Sequence, residues 1–314
     1  MPDMAEAPAD ISVWIERLAR RPPSRRSTCP DLLGQLQQTL RRPVDRLLCV
    51  AADPDPGLKL LSGVLVDRPA DVKRGMVLLE QMTGRRAALV TAPYARRNTY
   101  PGLHPSLLIR RQFGRRLRPG RATTDVGVLL FDAVAAVELV AAERGETFDL
   151  PVVVDDHTAG RRHRLSAPAE TPVAELLERL GVPIRDAVIT QGAPHAKRRI
   201  VLNSTDGDAG PRIGETDLWL RAAPTAPPPV SAACTRCGDC VVACPVDLHP
   251  AALLEAVQAG EDDMAHTFAL EACIECGLCS HVCPSRLPLM ESFRTYKAHA
   301  RQHAGSGAGS GAAE

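Results

Sequence analysis

The chain has 314 residues, 45% of them hydrophobic and 3% aromatic, with a formal net charge of +1. That length and apolar content suffice for two or three compact domains and exclude a wholly disordered chain. A charge so near zero gives no global drive towards nucleic acid or an anionic membrane surface.

Residues 1–44 read as an N-terminal helical arm. Ile11, Trp14, Ile15 and Leu18 fall at helical spacing, residues 32–40 repeat that pattern, and Pro22, Pro23 and Pro30 lie between. The run from Arg20 to Arg26 is followed by Cys29, Asp31 and Gln35 instead of an apolar core, so no export signal is expected. Residues 45–150 then alternate strand (46–51, 87–91, 125–131) with helix (70–83, 103–113, 133–142). The alternation predicts an α/β domain with a Rossmann-like, mostly parallel sheet covered by helices. The most apolar run, 126–142, contains Asp132 and Glu138 and is too short to span a bilayer, so no integral membrane segment is expected.

From Pro151 the pattern changes. Short strands at 152–155, 163–165, 187–190, 200–203 and 217–221, with one helix from Thr171 and Pro172 to residue 180, predict a small α+β domain of β-grasp type over 151–222. Residues 222–232, with Pro224, Pro227, Pro228 and Pro229, read as a stiff linker. Residues 223–302 form the last domain, with helices expected at 250–259, 262–270 and 289–299. The tail 303–314, almost all Gly, Ser and Ala, is expected to be disordered.

Eight of the ten cysteines lie between Cys234 and Cys283. The run Cys234-Thr-Arg-Cys237-Gly-Asp-Cys240-Val-Val-Ala-Cys244-Pro245 recurs 39 residues later as Cys273-Ile-Glu-Cys276-Gly-Leu-Cys279-Ser-His-Val-Cys283-Pro284. Three cysteines at two-residue gaps wrap one face of an iron–sulfur cubane, each thiolate reaching a different iron, while the cysteine before proline reaches the other cubane. Cys234, Cys237, Cys240 and Cys283 are therefore expected to hold one [4Fe–4S] cluster, and Cys273, Cys276, Cys279 and Cys244 a second. Structural zinc uses separated cysteine pairs, a pattern this doubled run does not follow. The expected domain is an all-helical ferredoxin unit with two clusters close enough for electron tunnelling.

With these residues the chain resembles the C subunit of the Rnf electron-transport complex and the related cobalamin reductases of propanediol-utilising microcompartments. The resemblance spans roughly residues 45–297 and is most specific at Cys273-Ile274-Glu275-Cys276-Gly277 and Cys283-Pro284-Ser285. Residues 48–59 resemble the segment after the flavin loop in that family and in the NADH-binding subunit of complex I. Residues 151–194 resemble the family's soluble-ligand-binding (SLBB-like) β-grasp domain, with Val188-Ile189-Thr190-Gln191-Gly192-Ala193-Pro194 where Gly-Gly-Pro is common. The resemblance places Asp53 and Asp55 near nicotinamide and flavin, as cofactor-binding candidates. Against that, Asp suits a Pro-rich turn for its local hydrogen bonds. Family members also carry a barrel-like domain and a glycine-rich FMN loop ahead of that turn. Here residues 20–50 contain only Gly34, so the chain by itself is expected to hold neither FMN nor NADH tightly.

The basic stretch Arg110, Arg111, Arg115, Arg116, Arg118 and Arg121 has a single aromatic, Phe113, and no stacking platform for nucleic acid. A solvated face or the docking of an acidic redox partner suits it better. Cys29 and Cys49 are isolated, and His104, His163 and His195 lack ligand spacing. No residue reads as a convincing acid, base or nucleophile. The expected function is electron transfer as a subunit of a larger redox assembly. The partner would be a flavoprotein or a membrane-bound electron-transport complex. The location is expected to be cytoplasmic, peripheral on the inner face of the cell membrane, or within a microcompartment. The alternative is an FMN- and NADH-dependent oxidoreductase such as a cobalamin reductase. A third reading is a scaffold in which the clusters are mainly structural.

Overall fold

The structure, a computed structural model, describes residues 10–22, 29–55, 57–91, 100–118, 120–193, 195, 197–202, 210–227, 230–261 and 269–306. Most of the expected helix at 262–270, the residues Pro23, Pro56, Pro194, Pro228 and Pro229, and the tail beyond 306 lie outside these residues. The chain forms two compact units: one runs to residue 225 without 118–120 and 194–196, the other comprises those two segments and residues 226–314.

The first unit contains α1 (Ile11–Ala19), α2 (Leu32–Arg41), β1 (Arg46–Ala51), α3 (Leu61–Asp67), α4 (Pro69–Thr83), β2 (Ala87–Thr91), α5 (Pro105–Phe113), β3 (Val128–Asp132) and α6 (Ala133–Arg144). The three strands form a parallel sheet in the order β2-β1-β3. The apolar run of β3 is buried along its whole length, as befits a parallel strand covered on both faces. Asp132 ends that strand and caps α6, its Oδ1 accepting from Ala135 N at 2.8 Å. Helix α6 is buried from Ala133 to Val137 and again from Leu139 to Ala142, because α3 and α4 cover it. At Gly75 on α4 a Cβ would stand 2.3 Å from the Ala136 carbonyl oxygen, so only glycine lets these helices approach so closely. Among the described residues no helix is long and apolar enough to cross a membrane.

Residues 11–41, read as an arm, are built into this core. Gln35 is buried on α2, donates Nε2 to the Leu130 carbonyl at 2.7 Å and accepts from Leu130 N at 2.9 Å. Its amide thus completes the open edge of β3 as a neighbouring strand would.

A second sheet in this unit is mixed, with the order β5-β4-β8-β6-β7. Its strands are β4 (Leu150–Asp156), β5 (Arg161–Ala167), β6 (Ala187–Gln191), β7 (Arg198–Arg199) and β8 (Trp219–Pro224). Only the β4/β8 pair is parallel, and one helix, α7 (Val173–Arg179), buries Val173, Leu176 and Leu177. The expected strand at 200–203 is displaced: β7 pairs Arg198 and Arg199 with Gln191 and Thr190, and Val201 points to solvent. Helix α7 starts at Val173, with Pro172 in the cap position and no side-chain cap, two residues later than the expected start at Thr171. In this sheet the buried Asp155 accepts from Trp219 Nε1 at 2.8 Å and from Arg162 through Nε and Nη2. Burial pushes the Asp155 carboxyl up, but the bonds from Arg162 and Trp219 outweigh it and hold the group below the usual carboxylate range.

The second unit is helical: α8 (Asp239–Val242), α9 (Pro250–Ala259), α10 (Leu278–Val282) and α11 (Leu289–Ser306). Helices α8 and α10 begin 39 residues apart, as do α9 and α11, so the repeat extends beyond the cysteines. Leu253, Leu270, Leu289 and Phe293 centre its core. Helix α11 runs past His299 to Ser306, into the segment read as tail.

Candidate metal centre

Each cysteine loop turns through the same backbone states. Arg236 and Glu275, one before the second cysteine of each loop, have φ of 56° and 54°. Gly238 and Gly277, one after it, have φ of 83° and 75° and lead into α8 and α10. Asp247 and Arg286, three after the Cys-Pro cysteines, have φ of 58° and 53°. The left-handed turns aim backbone N–H groups at sulfur. Arg236 N donates to Cys234 Sγ and Glu275 N to Cys273 Sγ, both at 3.4 Å, and Leu248 N donates to Cys244 Sγ at 3.3 Å.

A cavity of about 320 Å³ is walled by Cys234, Cys237, Cys240 and Cys283, together with Pro284, Leu287 and Leu289. Cys283 thus meets the three cysteines of the other repeat, the arrangement the crossed-ligand rule calls for. Cys244 in turn lies close enough to Cys273, Cys276 and Cys279 to act on each of them electrostatically. The cavity has about ten times the volume of a water molecule, ample for a multi-atom cluster. Among the described residues no three His, Cys, Asp or Glu side chains converge at distances that would grip one ion.

Burial dominates the thiol chemistry. It pushes the Cys240 and Cys273 thiols up, Cys276 to about 11 and Cys279 to about 12. A bare thiolate is disfavoured in these surroundings. At Cys273 the nearby Lys297 ammonium pulls the other way.

The other sequence candidates are placed elsewhere, in the first unit. Asp53 is 4% exposed, and its carboxylate accepts from Leu60 N, Leu61 N and Ser62 N at 3.2, 2.8 and 3.2 Å and from the Ser62 hydroxyl. It holds the start of α3. Asp55 Oδ1 accepts from Gly57 N at 2.7 Å and closes the turn. Arg162 Nη1 and Arg164 Nη2 donate to the Gly57 carbonyl and tie the turn to the second sheet. In the basic stretch Arg115 forms a two-pronged pair with Asp45, at 2.6 Å for each prong, while Arg110, Arg116 and Arg121 are exposed. Cys29 and Cys49 are buried, and burial pushes the Cys49 thiol far up. His104 caps α5 through Nδ1, which accepts from Ser106 N at 3.3 Å.

Three polar residues around the second loop were not singled out in the sequence. Glu275 pairs with Arg294 Nε at 3.3 Å and Lys297 Nζ at 3.6 Å, and Lys297 also donates to the Cys273 carbonyl. Both cations come from α11, so no motif spacing marks them. His195 lies against the same loop, its ring 4.1 Å from that of His281, and its carbonyl faces Gly277.

Comparison with known proteins agrees with this chemistry. Residues 221–287 match the family of 4Fe-4S dicluster domains. The chain is similar to the C subunit of the ion-translocating oxidoreductase complex of Cronobacter sakazakii, 29% identical over 270 residues, covering 82% of this chain and 34% of that protein. It is 38% identical over 60 residues to the same subunit of Buchnera aphidicola, 19% of this chain and 13% of that protein. The chain thus spans about a third or less of these relatives. A chain of the NAD+-reducing [NiFe]-hydrogenase, crystallised in the H2-reduced state, shares the fold with a TM-score of 0.53 and 14% identity, covering 94% of this chain and 62% of that one. The chain therefore carries an iron–sulfur domain of the 4Fe–4S ferredoxin type, with similarity to the C subunit of ion-translocating oxidoreductase complexes.

Proposed function

We propose that this protein relays electrons through two [4Fe–4S] clusters as a subunit of a larger redox complex like the one its relatives are named for. The observation that carries the reading is the shared wall of Cys234, Cys237, Cys240 and Cys283, a set no single repeat supplies. Cys273, Cys276, Cys279 and Cys244 would hold the second cluster. When bound, such a cluster takes up and gives back one electron at a time. The chain's own residues supply the thiolates, direct backbone N–H groups at sulfur and partly cover the second loop, while Cys234 and Cys237 of the first stay exposed. We read the five-stranded mixed sheet with α7 as the SLBB-like β-grasp domain, a site for a partner or ligand. The chain begins the alternation of strand and helix with β1, and the sole glycine of residues 20–50, Gly34, lies inside α2. With Asp53 and Asp55 engaged in building their turn, this segment offers no glycine-rich anion cradle. The electrons therefore come from a partner, a flavoprotein or another subunit, and not from NADH bound to this chain.

The test is anaerobic reconstitution of the clusters, addition of excess FMN, desalting and assay. The relay reading expects dithionite to bleach the cluster absorbance reversibly, with little flavin retained and no bleaching by NADH. Stoichiometric flavin with NADH-driven bleaching would overturn it in favour of an FMN- and NADH-dependent reductase of the cobalamin-reductase type. Irreversible bleaching would favour a structural role for the clusters.

A further inference from the structure

The two cysteine loops have the same backbone but differ in the charges set around them. In the first loop Arg236 is exposed and forms no ion pair among the described residues. At the same place in the second loop stands Glu275, with a side chain only 16% exposed, held between Arg294 and Lys297 of α11. The Lys297 side chain is 12% exposed, and its ammonium rests on the Cys273 carbonyl, beside a ligand sulfur. Glu275 faces both cations, and of the two it is the Lys297 ammonium that reaches the loop backbone at Cys273. At this depth the charge is poorly screened by solvent or salt.

We infer that Lys297 sets the reduction potential of the second-loop cluster by holding its ammonium against Cys273. This rests on the two-cluster reading above. Reduction adds one electron, supplied in the test by dithionite, and makes or breaks no bond to the protein. The added negative charge is stabilised by a nearby cation and penalised by burial. Burial of this loop opposes reduction of the cluster, and the Lys297 ammonium on the Cys273 carbonyl counteracts it. Arg294 and Glu275 act as positioning residues, fixing the lysine against the loop. Among the described residues the first loop has no buried cation in the corresponding place.

The test is a redox titration of the full reconstituted chain, followed by low-temperature electron paramagnetic resonance. Iron and sulfide analysis checks the underlying reading separately: about eight of each per chain supports two clusters, and about four would sink that reading and this inference with it, whereas about eight with an unmoved second-loop wave would sink this inference alone. Cys276→Ala identifies the second-loop wave as the one it abolishes. Lys297→Gln should move that wave to lower potential and leave the other in place, with Lys297→Arg restoring it. Glu275→Gln should move the same wave upward. An unchanged second-loop wave in Lys297→Gln, an upward shift, or equal shifts of both waves would overturn the inference. If Lys297→Gln fails to hold its cluster, Lys297→Met decides: a downward shift of the second-loop wave supports the inference, and an unmoved wave overturns it.

Discussion

The first and second cysteine loops are copies in sequence and in backbone, yet they sit in different surroundings. Gly238 of the first loop faces open space, whereas a Cβ on Gly277 would stand 1.9 Å from the His195 carbonyl oxygen. Cys234 and Cys237 are exposed, while Cys273 and Cys276 are partly covered and their loop is clamped by Glu275, Arg294 and Lys297. A repeat therefore dictates how a loop turns, because turning depends on the residues in it. It does not dictate what covers the loop, because the cover comes from residues such as His195 and α11 that lie outside the motif. Two like sites can in this way be given unlike chemistry.

The largest effect expected is on the ligands themselves. Cys244→Ser should cost the second-loop cluster and Cys283→Ser the first, each lowering iron by about half. If Cys244→Ser instead removed the cluster of Cys234, Cys237 and Cys240, the crossed assignment would be wrong. Buried charge comes next. The clamp at Glu275 has a parallel in the first unit, where Asp155 serves Arg162 and Trp219 beside the buried Arg221. Asp155→Asn should lower unfolding stability by about 3 kcal/mol, as removal of one member of a buried pair does. Because the folded-state pKa of Asp155 is depressed, its contribution is present above the unfolded carboxyl pKa near ~3.9. It is lost as pH falls through the lower folded value. Denaturant titrations at pH 7 and pH 3 should therefore show a smaller gap between wild type and Asp155→Asn at the lower pH.

Glycine substitutions probe the comparison more finely. Gly238→Ala should cost only the left-handed backbone penalty, about 1–2 kcal/mol. Gly277→Ala adds the clash with His195 and should destabilise cluster retention clearly more. Equal losses in an anaerobic cluster-release assay would mean that His195 does not cover the loop. The smallest effect belongs to Arg236→Ala, an exposed substitution whose expected change in stability lies within about 0.5 kcal/mol. A large loss of cluster there would show the first loop to be held by contacts its exposure does not reveal.

Much of the fold was legible in the sequence where the signal is local. Strands β1 and β2 and helix α9 lie at the residues expected, because their apolar runs and their Pro or turn boundaries are adjacent in the chain. Helix α3 was missed, since its N-terminus is held by Asp53, seven to nine residues upstream of the N–H groups it accepts from. The strand expected at 200–203 was drawn by Ile200, Val201 and Leu202. The pairing that forms uses Arg198 and Arg199, with the buried Ile200 donating its N–H to the Ile189 carbonyl at 2.8 Å and Val201 left exposed. The arm reading failed to anticipate Gln35, a polar residue whose value comes only from the open edge of β3. In the candidate metal centre the grouping of Cys234, Cys237, Cys240 and Cys283 around one cavity was legible, because cysteine spacing is a property of the motif. The ion trio was not, because Lys297 lies 24 residues from the carbonyl it binds.

The proposed function stands or falls on two clusters in the second unit that exchange electrons. The most direct measurement is a coulometric titration of anaerobically reconstituted full-length protein, with electron paramagnetic resonance at each step. Uptake of about two electrons per chain is expected, reversed on reoxidation, with a fully reduced spectrum broadened by magnetic interaction between neighbouring clusters. Uptake of about one electron or none, or two sharp signals with no sign of interaction, would contradict it.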